Sequence, residues 1–277
     1  MTVVDLLKRI VLYAAIAGCT ILFIAPFLWL ISNSLKDAAH AFDASWIPQP
    51  VEWANYLRIF QEIPLLLMAR NSIIVSVLGV LAVVLSSSMI AYALARLNFP
   101  GRRLVFLAVL GTMLLPGAVT MVPVYLIWKK VGLVNTLYPL WLGNLFGSSF
   151  YIFMLRQFFL GLPQDLIDAA RVDGASYYRI YWQIMLPLVR PALLTVAVFE
   201  FQAKWNDFMT PLIYIQNPNL RTLPLGLQQL VQQLGYGQFH WELLFAATVM
   251  VTLPMIIIFF LAQKQFIQGI ATTGLKG

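Results

Sequence analysis

The sequence predicts an all-α membrane protein: six transmembrane helices, with a cytoplasmic loop that folds into two short helices. Three observations predict it. The chain is 61% hydrophobic and only 10% charged, with a mean hydropathy of +0.81, whereas a water-soluble domain carries about 25% charged residues. Six apolar runs are each long enough to cross roughly 30 Å of hydrocarbon as a helix. Between the fourth and fifth runs lies a segment too polar to span and too patterned to be a linker.

Composition narrows the chemistry. Cys19, the single cysteine, lies inside the first apolar run and reads as a small buried hydrophobe, so no disulfide framework or cysteine metal site is expected. His40 and His240 are far apart, lack companions at metal-ligand spacing and read as loop residues, so no metal site is expected. The net charge of +7 is scattered along the chain, which argues against a nucleic-acid partner.

The expected spans are residues 10–31, 72–95, 104–128, 137–158, 191–215 and 243–264. The first is too long, and lacks the small-residue cleavage site, to be a removable signal peptide. Gly143, Gly147, Ser148 and Ser149 interrupt the fourth and suggest close helix packing. Lys8 and Arg9 place the N-terminus in the cytoplasm by the positive-inside rule. On the same side fall Arg96, Arg102, Arg103, Arg156, Arg171, Arg179, Arg190, Lys264 and Lys276, against Lys36, Arg58, Arg70, Lys129, Lys130 and Arg221 outside. The expected organisation is thus a cytoplasmic N-terminus (1–9), a six-span domain (10–264) that includes the cytoplasmic loop at 159–190, and a cytoplasmic tail (265–277). The first outer loop, 33–70, carries Trp46, Pro48, Pro50, Trp53 and Tyr56, which suit the interfacial aromatic belt.

The polar loop reads LPQDLIDAARVDGASYYRIYWQIMLPLVRP from Leu162 to Pro191. Asp165 is an N-cap candidate, with Asp168 near the first-turn amides, where a carboxylate complements the helix dipole. That helix is expected to run to about Asp173 and to end at Gly174, the natural left-handed residue. Ser176 can cap a second helix from Tyr177 to Met185, stopping near Pro187. The product is a rigid elbow. Ala169 and Ala170 would let another protein approach closely, while the tyrosines, Trp182 and Ile184 anchor it.

At these residues the chain resembles the permeases of binding-protein-dependent ABC importers. Their loop pattern is Glu-Ala-Ala, three residues, Gly, nine residues, then Ile-x-Leu-Pro; Ala169, Ala170, Gly174, Ile184, Leu186 and Pro187 fall at that spacing, with Asp168 in place of the glutamate. KWNDF (204–208), TLPLGL (222–227) and FIQGIATTGLKG (266–277) resemble the carbohydrate-uptake branch, and the short N-terminus resembles its maltose-type G subunit. The resemblance implies the type I importer permease fold in a bacterial or archaeal cytoplasmic membrane. It implies that Asp168, Ala169, Ala170, Asp173, Gly174, Ile184, Leu186 and Pro187 couple to an ATPase, and that Gly274, Leu275, Lys276 and Gly277 touch it. The implied partners are a homologous second permease, a dimer of nucleotide-binding subunits, an extracytoplasmic sugar-binding protein and membrane lipid.

Span five holds Glu200, Lys204 and Asp207, costly in hydrocarbon unless paired or wet. Glu200 and Lys204 are four apart and can pair on one face. Lys204, Trp205, Asn206 and Asp207, with Asn144 and Ser148 of span four, are candidates for the translocation path; the competing reading makes them packing contacts. The sequence contains no GxxxxGK[ST] phosphate loop, so no cofactor is expected in this chain and ATP with its magnesium belongs to the partner. Neither HExxH nor GxSxG occurs, so the chain reads as a transport subunit and not an enzyme. The expected cargo is a sugar, an oligosaccharide or disaccharide. Glycerol phosphate or another polar solute is the alternative within the family, and a secondary transporter the alternative outside it.

Overall fold

The computed structural model describes residues 3–234 and 240–274, and all regular structure among them is helical. Three helices are long and apolar enough to cross a membrane alone: α1 (Val3–Ser34), α3 (Leu65–Arg96) and α12 (Trp241–Gly274). Three further crossings are bent pairs. The helices α4 (Arg102–Met113) and α5 (Gly117–Val131) meet at 102°, the 142–161 segment meets α7 (Asp165–Val172) at 75°, and α8 (Tyr177–Leu188) meets α9 (Arg190–Trp205) at 77°. Three expected spans are thus single helices, and the other three fall within bent pairs that are apolar enough to cross only when each pair is taken together; two of those pairs include the short helices α7 and α8 of the polar loop.

Each departure from the expected runs has a local cause. The run expected as one helix over 104–128 stops at Met113 because Pro116 has no N–H to continue the ladder and sits extended, at φ −60° and ψ 133°. The run expected over 137–158 is helical only from α6 (Ser149–Gly161). Before it come two 3₁₀ turns, Tyr138–Leu140 and Leu142–Phe146, ended by Gly147 at φ +80°. Gly147 thus ends a turn as well as packing closely, against Ile90 and Ile152. The run expected over 191–215 stops at Trp205, where the Asn206 amide donates back to the Gln202 carbonyl (2.9 Å). The Asp207 carboxylate then accepts the Thr210 N–H (3.0 Å) at the start of α10 (Met209–Tyr214). After α11 (Leu223–Leu234), the last helix runs past Lys264 to Gly274, so residues 265–274, expected as tail, are helical.

Contacts divide the chain into two compact units. The first comprises Met1–Leu65 and Gly226–Pro254. In it α1 exposes its apolar side chains, Cys19 included, until its last turn, where Ser32, Asn33 and Ser34 are buried. The expectation of a buried Cys19 fails because a span surrounded by lipid needs no protein neighbour at every face. After α1 the chain is tied back on itself. Asn55, which opens α2 (Asn55–Glu62), donates to the Ser34 and Lys36 carbonyls at 3.0 and 2.8 Å. Lys36 is buried, its ammonium 4.8 Å from the Trp29 ring centre and donating to the Asp43 carbonyl. His40 hydrogen-bonds Asp37 in the exposed loop, and that bond holds the Asp37 carboxyl below its ordinary range.

The second unit, Leu66–Leu225 with Met255–Gly277, carries the main core. Val83, Ala91, Tyr92, Leu94 and Ala95 of α3 pack there with Ile152, Leu155 and Phe159 of α6 and with Val189, Ala192 and Val196 around the start of α9. At Gly147 an added Cβ would lie 3.1 Å from both Ile90 Cδ1 and Ile152 Cδ1, at a φ that L residues avoid. Gly147→Ala is therefore expected to destabilise the protein by about 1–3 kcal/mol. Thermal unfolding of the detergent-solubilised protein checks this, and an unchanged midpoint refutes it.

Candidate functional site

The polar loop forms the expected elbow. Helix α7 ends in a Schellman turn: Gly174 sits at φ +77°, its N–H reaches the Arg171 carbonyl (3.0 Å), and the Ala175 N–H reaches the Ala170 carbonyl (2.9 Å). Ser176 then caps α8 by accepting the Arg179 N–H (3.3 Å). One expectation needs correction. The N-cap of α7 is Gln164, not Asp165, and Asp168 receives the Gln164 side-chain amide (3.1 Å) rather than free first-turn N–H groups. The second helix stops near Pro187 as expected, at Leu188, but it passes through a π turn, Tyr181–Met185, the wider turn accommodating a proline that an α turn would oppose.

The elbow has two faces. Ile167, Ala170, Ile180, Tyr181 and Met185 are buried in the core of the second unit, with Ile184 and Leu186 half-buried beside them. Leu166, Asp168, Ala169, Val172, Asp173, Gly174, Tyr177, Tyr178 and Pro187 are exposed. Val172, at 88% exposure, stands almost free at the tip. Ala169 and Ala170, read together as an open surface, thus separate: Ala169 faces out and Ala170 faces the core.

Helix α3 holds the elbow at three points. The Arg96 guanidinium donates to the Phe159 and Leu162 carbonyls at the end of α6 and to Gln164 Oε1 (2.8 Å) at the start of α7. Those carbonyls lie at a helix C-terminus, where a cation is also favoured by the helix dipole. Tyr92 Oη donates to the Tyr177 carbonyl (3.3 Å), and the Ser88 and Tyr181 hydroxyls share a hydrogen bond of 2.8 Å. Arg96, Gln164, Tyr92 and Ser88 escape sequence reasoning. Arg96 reads as a topology charge, and its signal, an arginine closing an apolar run, does not reveal what it binds.

Deeper in the same unit, Glu200 and Lys204 approach to 3.9 Å on one face of α9. Asn144 bridges them to α3, one amide donating to Glu200 Oε1 and to the Gly79 carbonyl, while the Tyr151 hydroxyl faces the same carboxylate. Lys204 Nζ donates to the Leu140 carbonyl (2.8 Å). Gly79 permits the approach: a Cβ there would lie 3.2 Å from Asn144 Nδ2 and from Lys204 Cγ. Of the six path candidates, Asn144 and Lys204 come together here. Ser148 lies apart, its N–H on Ser87 Oγ, and Trp205 is buried and stacked on Phe201. Asn206 is exposed, and with Asp207 it serves the helix break described above.

A comparison with known families matches residues 83–272 to the binding-protein-dependent transport system inner membrane component. The chain belongs to this family. Among similar proteins, the arabinooligosaccharides transport system permease protein AraQ of Halalkalibacterium halodurans is 36% identical over 264 residues, covering 93% of each chain. The trehalose/maltose transport system permease protein MalG of Thermococcus litoralis is 33% identical and covers 99% of both. A chain of a bacterial ABC transporter that imports the acidic polysaccharide alginate superposes with a TM-score of 0.82 at 22% identity, over 95% of this chain and 98% of that one. The fold is accordingly that of a type I ABC importer permease. The matched region of this permease takes in the elbow, Arg96 and the Asn144–Glu200–Lys204 group. Gly274 is the last described residue of α12, and Leu275, Lys276 and Gly277 lie outside the described residues.

The buried pair yields a test that separates packing from cargo contact. Lys204→Met leaves Glu200 charged and buried, and is expected to cost roughly 3 kcal/mol of stability. Adding Glu200→Gln should restore most of it. Unfolding midpoints of the single and double variants check this, and additive losses would refute a coupled pair.

Proposed function

We propose that this permease is the membrane subunit of an ATP-driven importer of oligosaccharides or disaccharides, and that its elbow receives the force of an ATPase carried on separate chains. The observation that carries the reading is the elbow itself. A helix with the family's Ala-Ala-x3-Gly spacing is fixed on one face by the core and presents Ala169, Val172 and Asp173 outward on the other. A small, rigid, half-free helix suits insertion into a partner's cleft, since ordering it on binding costs little further entropy.

The remaining assignments follow from this one. The excess of lysine and arginine near Lys8, Arg96, Arg102 and Arg171 sets the elbow and both termini in the cytoplasm. ATP and magnesium are held by a dimer of nucleotide-binding subunits, consistent with a sequence that lacks a phosphate loop. A homologous second permease completes the pathway, and Gly274, Leu275, Lys276 and Gly277 reach toward the ATPase. An extracytoplasmic binding protein delivers the cargo. A chain of similar fold, with a TM-score of 0.63 at 17% identity, belongs to an alginate transporter in complex with an alginate pentasaccharide-bound periplasmic protein. The sugar class is supported by relatives named for arabinooligosaccharides, trehalose and maltose. Transport proceeds by alternating access as closure of the ATPase dimer moves the elbow.

Within the pathway, the exposed Asn206 is the assigned contact, with Trp205 packed behind it and Asp207 fixing the bend. Asn144 and Lys204 shape the path from behind, their hydrogen bonds being committed to protein groups. Commitment of Lys204 to Leu140 and Glu200 also weighs against an anionic cargo such as glycerol phosphate.

The experiment is purification of the complex through a tag on this chain, followed by identification of the copurifying ATPase and of the sugar retained by the binding protein. In that complex Gly174→Val forces a β-branched residue to φ +77° and disturbs the turn between the two helices. Sugar-stimulated ATP hydrolysis is expected to fall about tenfold or more, on the order of 1.4 kcal/mol of lost coupling. Full stimulation in an intact complex would refute the elbow's role.

A further inference from the structure

Resting on the ATP-driven reading above, we infer that α3 carries the stroke across the membrane. Arg96 positions the elbow at one end of the helix, Asn71 positions the 216–223 segment at the other, and the two ends move together.

Helix α3 has the form such a link requires. Its 32 residues contain no proline and no break, giving a rod about 48 Å long. The other crossings of the second unit between α4 and α9 are bent pairs. At the cytoplasmic end Arg96, Tyr92 and Ser88 hold both arms of the elbow, as described. At the opposite end Asn71 is fully buried, and its amide donates to the Asn219 carbonyl (2.9 Å) and the Arg221 carbonyl (3.0 Å). Next to it Ser72 Oγ accepts the Leu223 N–H at 2.8 Å. Midway, Ser86 donates to the Asn144 carbonyl, Asn144 returns a hydrogen bond to Gly79, and Ser87 accepts the Ser148 N–H. One continuous helix therefore bonds to the elbow, to the 3₁₀ break and to the far segment.

A rod transmits a stroke only if its joints have somewhere to go, and the far joint has unused bonding capacity. Thr222, beside Leu223, and Ser76, one turn along α3 from Ser72, have buried hydroxyls with no hydrogen-bond partner. Buried hydroxyls without partners are unfavourable, so a second arrangement of this joint that pairs them has a driving force. That arrangement is the discrete alternative state that coupling between distant sites requires. The polar and small residues along α3, at Asn71, Ser72, Gly79, Ser86, Ser87 and Ser88, are then bonding points of one moving part rather than a generic packing stripe.

Amide hydrogen exchange in lipid nanodiscs tests this on the complex purified through this chain, with ATP and vanadate as the probe, so that no sugar need be known. In the unmodified chain, trapping with ATP and vanadate should change exchange both in the elbow, 165–188, and in 216–223. Arg96→Gln removes most of the fork. The elbow should still respond in that variant, while the response at 216–223 shrinks on the order of tenfold, the scale of a lost charge-assisted hydrogen bond. Arg96→Lys, with a point charge in place of a fork, should fall between. Asn71→Leu should abolish the far response with the elbow unaffected.

If Arg96→Gln fails to assemble, Tyr92→Phe removes only the hydroxyl that reaches Tyr177 and should diminish the far response in the same direction. An Arg96 that merely stabilised the fold would raise exchange without nucleotide and leave the trapping difference intact, which overturns the inference. An undiminished far response in both Arg96→Gln and Asn71→Leu overturns it as well, as does an unmodified chain whose elbow responds while 216–223 does not. An unmodified chain with no response at either end removes the ATP-driven reading and this inference together.

Discussion

Hydrocarbon offers no hydrogen-bond partner, so a backbone that leaves the helix inside a membrane must find its partners within the protein. In the second unit three of the expected spans leave the α-helix, at 114–116, 138–147 and 206–208, and each unsatisfied group there would cost several kcal/mol. The partners come from short polar side chains at fixed places. Ser86 donates to the Asn144 carbonyl of the 3₁₀ segment, Ser87 takes the Ser148 N–H, and Asn206 and Asp207 close one helix and open the next. Asn135, itself at φ 63°, accepts the Gln216 and Asn217 N–H groups beyond that. An uninterrupted α3 is what makes so many breaks tolerable, because it supplies a straight neighbour whose hydroxyls lie at helical spacing.

The same constraint explains why charges occur where they do. Glu200 and Lys204 do not form a tight ion pair at 3.9 Å; each completes its shell with a neutral group, Asn144 for the carboxylate and the Leu140 carbonyl for the ammonium. A pair spread over amide dipoles in this way keeps both ions solvated by protein. Gly79 lets the group sit against α3 at all, since any side chain at that position would occupy the space of Asn144 and Lys204. Arg96 uses the same chemistry at the membrane boundary. Its planar fork reads three acceptors from two helices and thereby fixes the angle at which the elbow leaves the bundle.

How much of this was legible in the sequence differs by feature. Apolar run length located the three unbroken spans, and the Gly174 turn with the Ser176 cap was readable because left-handed backbone and N-caps have strong residue preferences. The breaks were less legible. Pro116 and Gly147 were visible, but whether a proline or glycine kinks, ends or merely loosens a helix depends on which neighbours satisfy the freed groups, and those lie far along the chain. Asn144 meets Glu200 across more than fifty positions, and Arg96 meets Gln164 across more than sixty. Periodicity placed both alanines of the elbow on one helix but not on which side of it the core would lie. The π turn before Pro187 has no composition signature, since it records how α8 fits its surroundings rather than a preference of its residues.

The division of α7 into two faces has a consequence for how such permeases diverge. Ile167 and Ala170 are buried in the interior of this chain, whereas Leu166, Ala169 and Val172 are exposed and, on the proposed function, meet only the docking ATPase, so no side chain among these five serves both. Substitutions on the outer face can therefore accumulate alongside those of a docking protein without disturbing the bundle, and substitutions on the inner face can follow changes in the bundle without altering whom the elbow recognises. A permease built this way can change its cargo and keep its motor, or keep its cargo and change its motor, because the two histories are written on opposite sides of one eight-residue helix.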